Sequence, residues 1–132
     1  MKSILPWIAL VTLLAVFFTG ALFSQNPGIQ RNIVHKADVS VAGREAVIAR
    51  VDISPQARAG RHTHPGDEIT YVLEGEGEIL IEGKPPLKIK AGDGFVVPGN
   101  AKHDAHNTGG STLKLVAMYV VEKGKPLATP AP

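Results

Sequence analysis

The chain contains no cysteine. That absence excludes a disulfide scaffold, a zinc ribbon and thiol nucleophile chemistry. A dominant charge of one sign is missing too: 14 Lys and Arg stand against 12 Asp and Glu, a net charge of +2. Such a balance offers no basic field to hold a nucleic-acid backbone, so no nucleic-acid partner is expected. Aromatic residues are scarce, and beyond residue 24 only Tyr71, Phe95 and Tyr119 are left. These rings are too few for a base-stacking platform and equally for an aromatic-lined sugar groove. Beyond the same point no window keeps a helical apolar period over three turns without Gly or Pro. At 132 residues there is room for one domain.

The apolar residues that are present are unevenly spread. Lys2 is the only charged residue before Arg31, and Ile4–Phe23 is a run of 20 residues without a charge. A positive start before an apolar run is the pattern of a secretory signal. Ala21 and Ser24 mark two positions after which cleavage would fall. The run is also long enough to cross a bilayer, which takes about 20 residues. Residues 1–24 are therefore read as a signal peptide or as an uncleaved membrane anchor. Either way Lys2 stays inside, and the remainder is periplasmic or secreted. Membrane contact is then expected only through residues 4–23, if they are retained.

Beyond residue 24 the chain is a series of short apolar runs closed by turn residues. Residues 25–32, with Asn26-Pro27-Gly28, have a linker composition. Ala46–Ile53 is rich in β-branched residues and stops at Ser54-Pro55. Ile69–Leu73, Ile79–Ile81, Leu87–Lys90 and Phe95–Val97 each end at Gly or Pro, and Leu113–Val121 is the longest run. Short strands at regular spacing predict an all-β sandwich or barrel over residues 33–122. Residues 123–132, which hold three Pro and one Gly, are expected to be a disordered tail.

Four of the five histidines fall in two clusters. In His62-Thr63-His64-Pro65-Gly66-Asp67-Glu68, the two imidazoles are two apart and share a face of a strand. After the Pro-Gly turn Glu68 can face the same point. Two imidazoles and a carboxylate suit a divalent transition metal: Fe, Mn, Ni, Cu or Zn. In His103-Asp104-Ala105-His106-Asn107, His103 and Asn107 share a parity that His106 lacks. His103 is therefore the expected fourth ligand, with Asn107 behind it, while His106 points away. The competing account is a relic site that kept its residues and holds water. Thr70 and Val72 share the parity of Glu68 and are expected to line the floor of the cavity. His35, Asp67 and Asp104 are expected at the surface.

With these residues the chain resembles the cupin superfamily. The first cupin motif is matched by His62-Thr63-His64, three residues, Glu68, six residues and Gly75; its leading Gly is displaced, since Gly60 lies only two before His62. The second is matched by Gly92, five residues, Pro98, Asn100, two residues, His103, three residues and Asn107. Asn100 stands where the motif has a second Gly, a mild change, because Asn tolerates positive φ better than other side-chain-bearing residues. The resemblance implies a small jelly-roll barrel of the type-2, quercetinase-like kind, with the metal in one mouth, and a homodimer. Because the long run Leu113–Val121 has few polar breaks, both its faces are expected to be covered. For function the resemblance implies a metal site with open positions and a small-molecule ligand. A dioxygenase-type oxidoreductase is the first expectation. The alternatives are a non-catalytic binding or sensing module and a Lewis-acid isomerase or lyase.

Overall fold

In the computed structural model, residues 26–132 are described; the expected leader, residues 1–24, lies outside them. Their strands in chain order are β1 (Ile29–Asp38), β2 (Arg44–Ile53), β3 (His62–Thr63), β4 (Gly66–Glu74), β5 (Glu76–Ile81), β6 (Leu87–Lys90), β7 (Gly94–Val97), β8 (His103–His106), β9 (Leu113–Glu122) and β10 (Thr129–Pro130). They form two five-stranded sheets, ordered β1-β2-β9-β4-β7 and β10-β3-β8-β5-β6. Every pairing is antiparallel. With no helix among the described residues, this is the all-β, double-sheet arrangement expected of a jelly roll.

Side-chain alternation builds the core. In β2, Val47, Ala49, Val51 and Ile53 turn inward; in β9, Leu113, Leu115, Ala117, Tyr119 and Val121 do the same. Val72, Phe95 and Val97 add to this side, and Ile79 and Ile89 face them from the second sheet. Each Val, Leu, Ile or Phe among them contributes about 1.5–3 kcal/mol when fully buried. Glu68 and Thr70 continue the inward parity of β4 and are buried as well. The strand that supplies core residues at one end thus delivers a carboxylate to the interior at the other.

Two backbone features place the cluster. A Cβ on Gly66 would lie 2.0 Å from the Val120 carbonyl oxygen, so only glycine lets β4 pass that close to β9. Asn100 has φ 61°, the left-handed conformation that its motif position requires. Its N–H donates to the His64 carbonyl at 2.9 Å, fixing the crossing between β3 and β4.

Two expectations about the chain's organisation are corrected. Residues 29–32 are not linker, because Ile29 pairs with Ile53 of β2 and the ladder continues through Asn32, opposite Arg50. Only Asn26-Pro27-Gly28 turns, with the Ile29 N–H donating to the Asn26 carbonyl at 3.0 Å. The tail is not disordered: Thr129 and Pro130 pair with Thr63 and His62. Pro130 fits because β10 is an edge strand, where a missing N–H costs no ladder bond. The outer face of β9 is not covered by any described part of this chain, so the cover expected there is left to a second copy. Met118 sits between Ile48 and Ile69 and is 37% exposed, with Val96 at 55% beyond.

Candidate metal centre

His62 and His103 are direct partners across β3 and β8. His64 follows in the crossing to β4, and Glu68 projects inward from β4, opposite Tyr119. The ligand-type atoms of His62, His64, Glu68 and His103 all lie within 4.8 Å of one another. His62 Nε2 is 3.2 Å from His64 Nε2. Glu68 Oε2 is 3.0 Å from His64 Nε2 and 3.2 Å from His103 Nε2. His64, Glu68 and His103 are buried and His62 is half-buried.

The outer nitrogens explain why these edges face inward. Each Nδ1 meets a backbone carbonyl, which can only accept. His62 Nδ1 donates to Gly60 at 2.6 Å, His64 Nδ1 to Leu127 at 2.6 Å, and His103 Nδ1 to Ala101 at 2.9 Å. This outward N–H is how metal-binding imidazoles are held in one tautomer. The Nε2 atoms are left to converge on one point beside a carboxylate. Burial pushes His62 down to about 4, so it is neutral at neutral pH and offers a lone pair. Burial alone would raise Glu68, but hydrogen bonds from His103 and His64, then the charge of His64 and the Thr70 hydroxyl, hold its carboxyl far below the usual carboxylate range. Three inward nitrogens and an ionised carboxylate form a donor set suited to a divalent cation, which would displace the protons the nitrogens carry.

Residues around the cluster take roles that parity resolved only in part. Thr70 Oγ1 donates to Glu68 Oε1 at 2.8 Å, leaving Oε2 for the cluster. Val72 shares that parity but is wholly buried in the apolar core. Neither Val72 nor Thr70 lines the cavity. Asn107 is also buried but stands away from the cluster. Its Nδ2 donates to the Ile53 and Ser111 carbonyls at 2.9 and 2.8 Å, and its Oδ1 accepts from Gly109 N–H at 2.9 Å. It clamps the turn leading to β9 rather than backing His103. Asp104 accepts from Gly60 N–H at 2.9 Å and pairs with Arg58 at 3.1 Å. It thereby steadies the loop whose carbonyl orients His62. His106 and His35 are not part of the cluster.

A cavity of about 20 Å³ adjoins the centre, reached by His62, Glu68, His103, Arg31, Tyr119 and Phe95. Tyr119 packs on His64 with ring centroids 4.7 Å apart. Burial, then the charge of Glu68, pushes its hydroxyl well above the usual tyrosine range, so it stays protonated. Three of the groups at this site carried no signal as such. Arg31 fell in the expected linker, although Ile29-Gln30-Arg31-Asn32-Ile33 alternates as a strand does. Tyr119 looked like any core residue of a long run. The Leu127 carbonyl belongs to the backbone of the expected tail, and no residue type announces it.

Comparison with known proteins agrees with this geometry. The cupin domain family matches residues 49–121. An oxalate-binding protein of Thermotoga maritima is 36% identical over 76 residues, which are 57% of this chain and 62% of that protein. A dimethylsulfoniopropionate lyase of Ruegeria pomeroyi is 43% identical over 42 residues, 32% of this chain and 21% of the lyase. The chain thus spans less than two thirds of the length of either relative. Among solved structures, a cupin-like protein of Thermotoga maritima superposes with a TM-score of 0.65 at 23% identity, over 78% of this chain and 75% of that one. The chain belongs to the cupin domain family.

Proposed function

We propose that this cupin is an exported protein that holds a divalent transition metal on His62, His64, Glu68 and His103. There it binds a small organic molecule. The observation that carries the reading is the set of outward Nδ1–H donors. Three backbone carbonyls commit three imidazoles to present Nε2 to one point beside an ionised carboxylate. A metal held there would supply Lewis-acid or redox chemistry at a coordination position left open for a ligand. The chain's own residues do the rest. Thr70 orients Glu68, the carbonyls of Gly60, Ala101 and Leu127 orient the rings, and Tyr119 keeps a proton at the cavity wall.

The reaction proposed first is of dioxygenase type, in which both atoms of O₂ enter the substrate and no outside reductant is consumed. Among the described residues lining the cavity, no free carboxylate or unligated imidazole stands ready as a general base, which weighs against an isomerase or lyase. The second reading is a non-catalytic binding module. It is favoured by the relative named as an oxalate-binding protein, the compactness of the cavity and the same lack of a free base. Elemental analysis of protein purified from its native compartment should find close to one transition-metal ion per chain. Oxygen uptake by the iron- or manganese-loaded protein, with polyphenols and diketones, then separates turnover from binding. A protein that carries no metal and takes up none would sink the proposal.

Export rests on the Lys2 and Ile4–Phe23 pattern, and dimerisation on the uncovered row Ile48, Met118, Ile69 and Val96. A second copy applying the same row would bury it symmetrically. Sedimentation of wild type beside Met118→Lys should show a dimer converted to monomer. Fractionation with intact mass should find the chain outside the cytoplasm.

A further inference from the structure

The cavity contains a cation that the metal centre does not use. Arg31 comes from β1, two residues after Ile29, and lines the same cavity as His62, Glu68, His103 and Tyr119. Its Nε is buried and has no hydrogen-bond partner. Among the described residues its guanidinium makes no ion pair, because Glu68, the carboxylate that shares the cavity, is taken by His64, His103 and Thr70. The rest of the wall is apolar, from Ile29, Ile53, Ile79, Phe95 and Leu115.

A buried donor without a partner is costly, and a ligand oxygen accepting from Nε would offset that cost. Arg presents its N–H groups in a planar fork that matches a carboxylate. The sign of the site agrees: a divalent ion together with Arg31 outweighs the single carboxylate of Glu68. The size sets a limit: a cavity of about 20 Å³ has room for one or two water-sized groups, so only a compact ligand, or the head of one, enters it. Tyr119 lines the same cavity as Arg31 and adds an O–H donor to it.

We infer that Arg31 determines the specificity of this cavity and that the ligand it selects is a compact carboxylate anion, seated between the guanidinium and the histidine–glutamate cluster. The inference deepens the proposed function and rests on it for the metal end of the ligand; the contact with Arg31 needs no metal.

The test compares wild type with Arg31→Met and Arg31→Lys, and with Arg50→Met on the exposed side of β2 as control. Each protein is titrated calorimetrically with manganese(II). With and without the metal, each is then titrated with oxalate, acetate and uncharged oxamide. Urea melts establish that all four are folded. Arg31→Met should keep its affinity for manganese and for oxamide. It should bind oxalate about 10–100-fold more weakly, the contribution of a hydrogen bond between charged groups. Arg31→Lys should recover part of the loss, and Arg50→Met should behave as wild type. Equal oxalate affinity in wild type and Arg31→Met overturns the inference, as does a wild type that binds neither oxalate nor acetate. Parallel loss of manganese and oxalate in Arg31→Met also overturns it, since Arg31 would then support the centre instead of selecting its ligand. A chain that takes no metal, but whose oxalate binding still depends on Arg31, removes the metal reading and leaves this one standing.

Discussion

The two sheets of the sandwich are built differently. In the first, β1, β2 and β9 have ten residues each and β4 has nine, and most of the buried apolar side chains belong to it. In the second, β3 and β10 have two residues each and β8 has four. Yet three of the four clustered groups, His62, His64 and His103, come from this shorter sheet or its edge, and only Glu68 comes from the longer one. Long ladders and apolar burial hold the first sheet. β3, which bears His62, is held by few contacts: one residue pair with β8, two with β10, and the carbonyls that accept from the imidazole N–H groups, whereas β8 pairs with β5 over only four residues. Stability and chemistry are therefore separable in this molecule, and a metal would tie the weaker sheet to the stronger one.

The most severe challenge to that division is removal of the metal. A ligand that binds only the folded state stabilises it by about 4 kcal/mol when its free concentration is a thousandfold above Kd. Chelation should lower the melting temperature of wild type and leave His62→Ala/His64→Ala unchanged. Amide exchange should speed up in β3, β8 and β10 well before β2 and β9. Uniform loss of protection across both sheets would mean that they are not separable.

Next in size is a cut in the strong sheet. Leu113 is wholly buried, and Leu113→Ala should cost about 2–5 kcal/mol. Urea denaturation should show the same loss in the loaded and the chelated protein, because the cavity and its strain lie away from the ligands. Asn107→Ala is a sharper form of the same test. It removes three hydrogen bonds, two of them buried, that tie a turn to itself and to the end of β2, and should cost about 1–3 kcal/mol. Metal titration of this variant should match wild type; an affinity reduced by tenfold or more would return Asn107 to the metal centre.

The tail addresses the weak sheet directly. Deleting residues 126–132 removes the Leu127 carbonyl that fixes His64 and the β10 pairing that covers His62. Losing a group that orients a ligand typically costs about 10–100-fold in affinity. Competition titration with a chromophoric chelator should register that loss, while the urea midpoint of the metal-free protein moves little.

The smallest effect is one of pH. His62 lies at about 4 in the folded chain against an ordinary 6.5, because burial disfavours its charged form. Above about 6.5 it is neutral folded or unfolded and costs nothing. Between about 6.5 and 4 the unfolded chain takes up a proton that the folded one refuses, so stability falls; below 4 no further loss comes from this group. Allowing for partial exposure, the loss is about 1 kcal/mol. Stability of the metal-free protein measured from pH 7 to 4 should show it, and His62→Gln should flatten it. Glu68, held far below the usual carboxylate range, loses its contribution only at more acidic pH, so the two windows do not overlap.

The residue order by itself determined the apolar runs that form β2, β4, β5, β6, β7 and β9, the turn glycines and the four side chains that meet. These stem from local rules: a period of two places His62 beside His64, and Glu68 above Thr70, wherever the strand goes. The positive φ of Asn100 was legible for the same reason. Tertiary structure alone decided what lies outside the period. Asn107 has the parity of His103, but parity names a face and not a depth, and four residues along β8 the interior is a turn and no longer a cavity. Residues 26–32 and 123–132 have the composition of linker and tail, yet β1 pairs with β2 and β10 with β3. Edge pairing draws on backbone groups, which every sequence carries alike. The Leu127 carbonyl that orients His64 is such a group, and the neutrality of His62 comes from burial, a property of the packed chain and not of the residue.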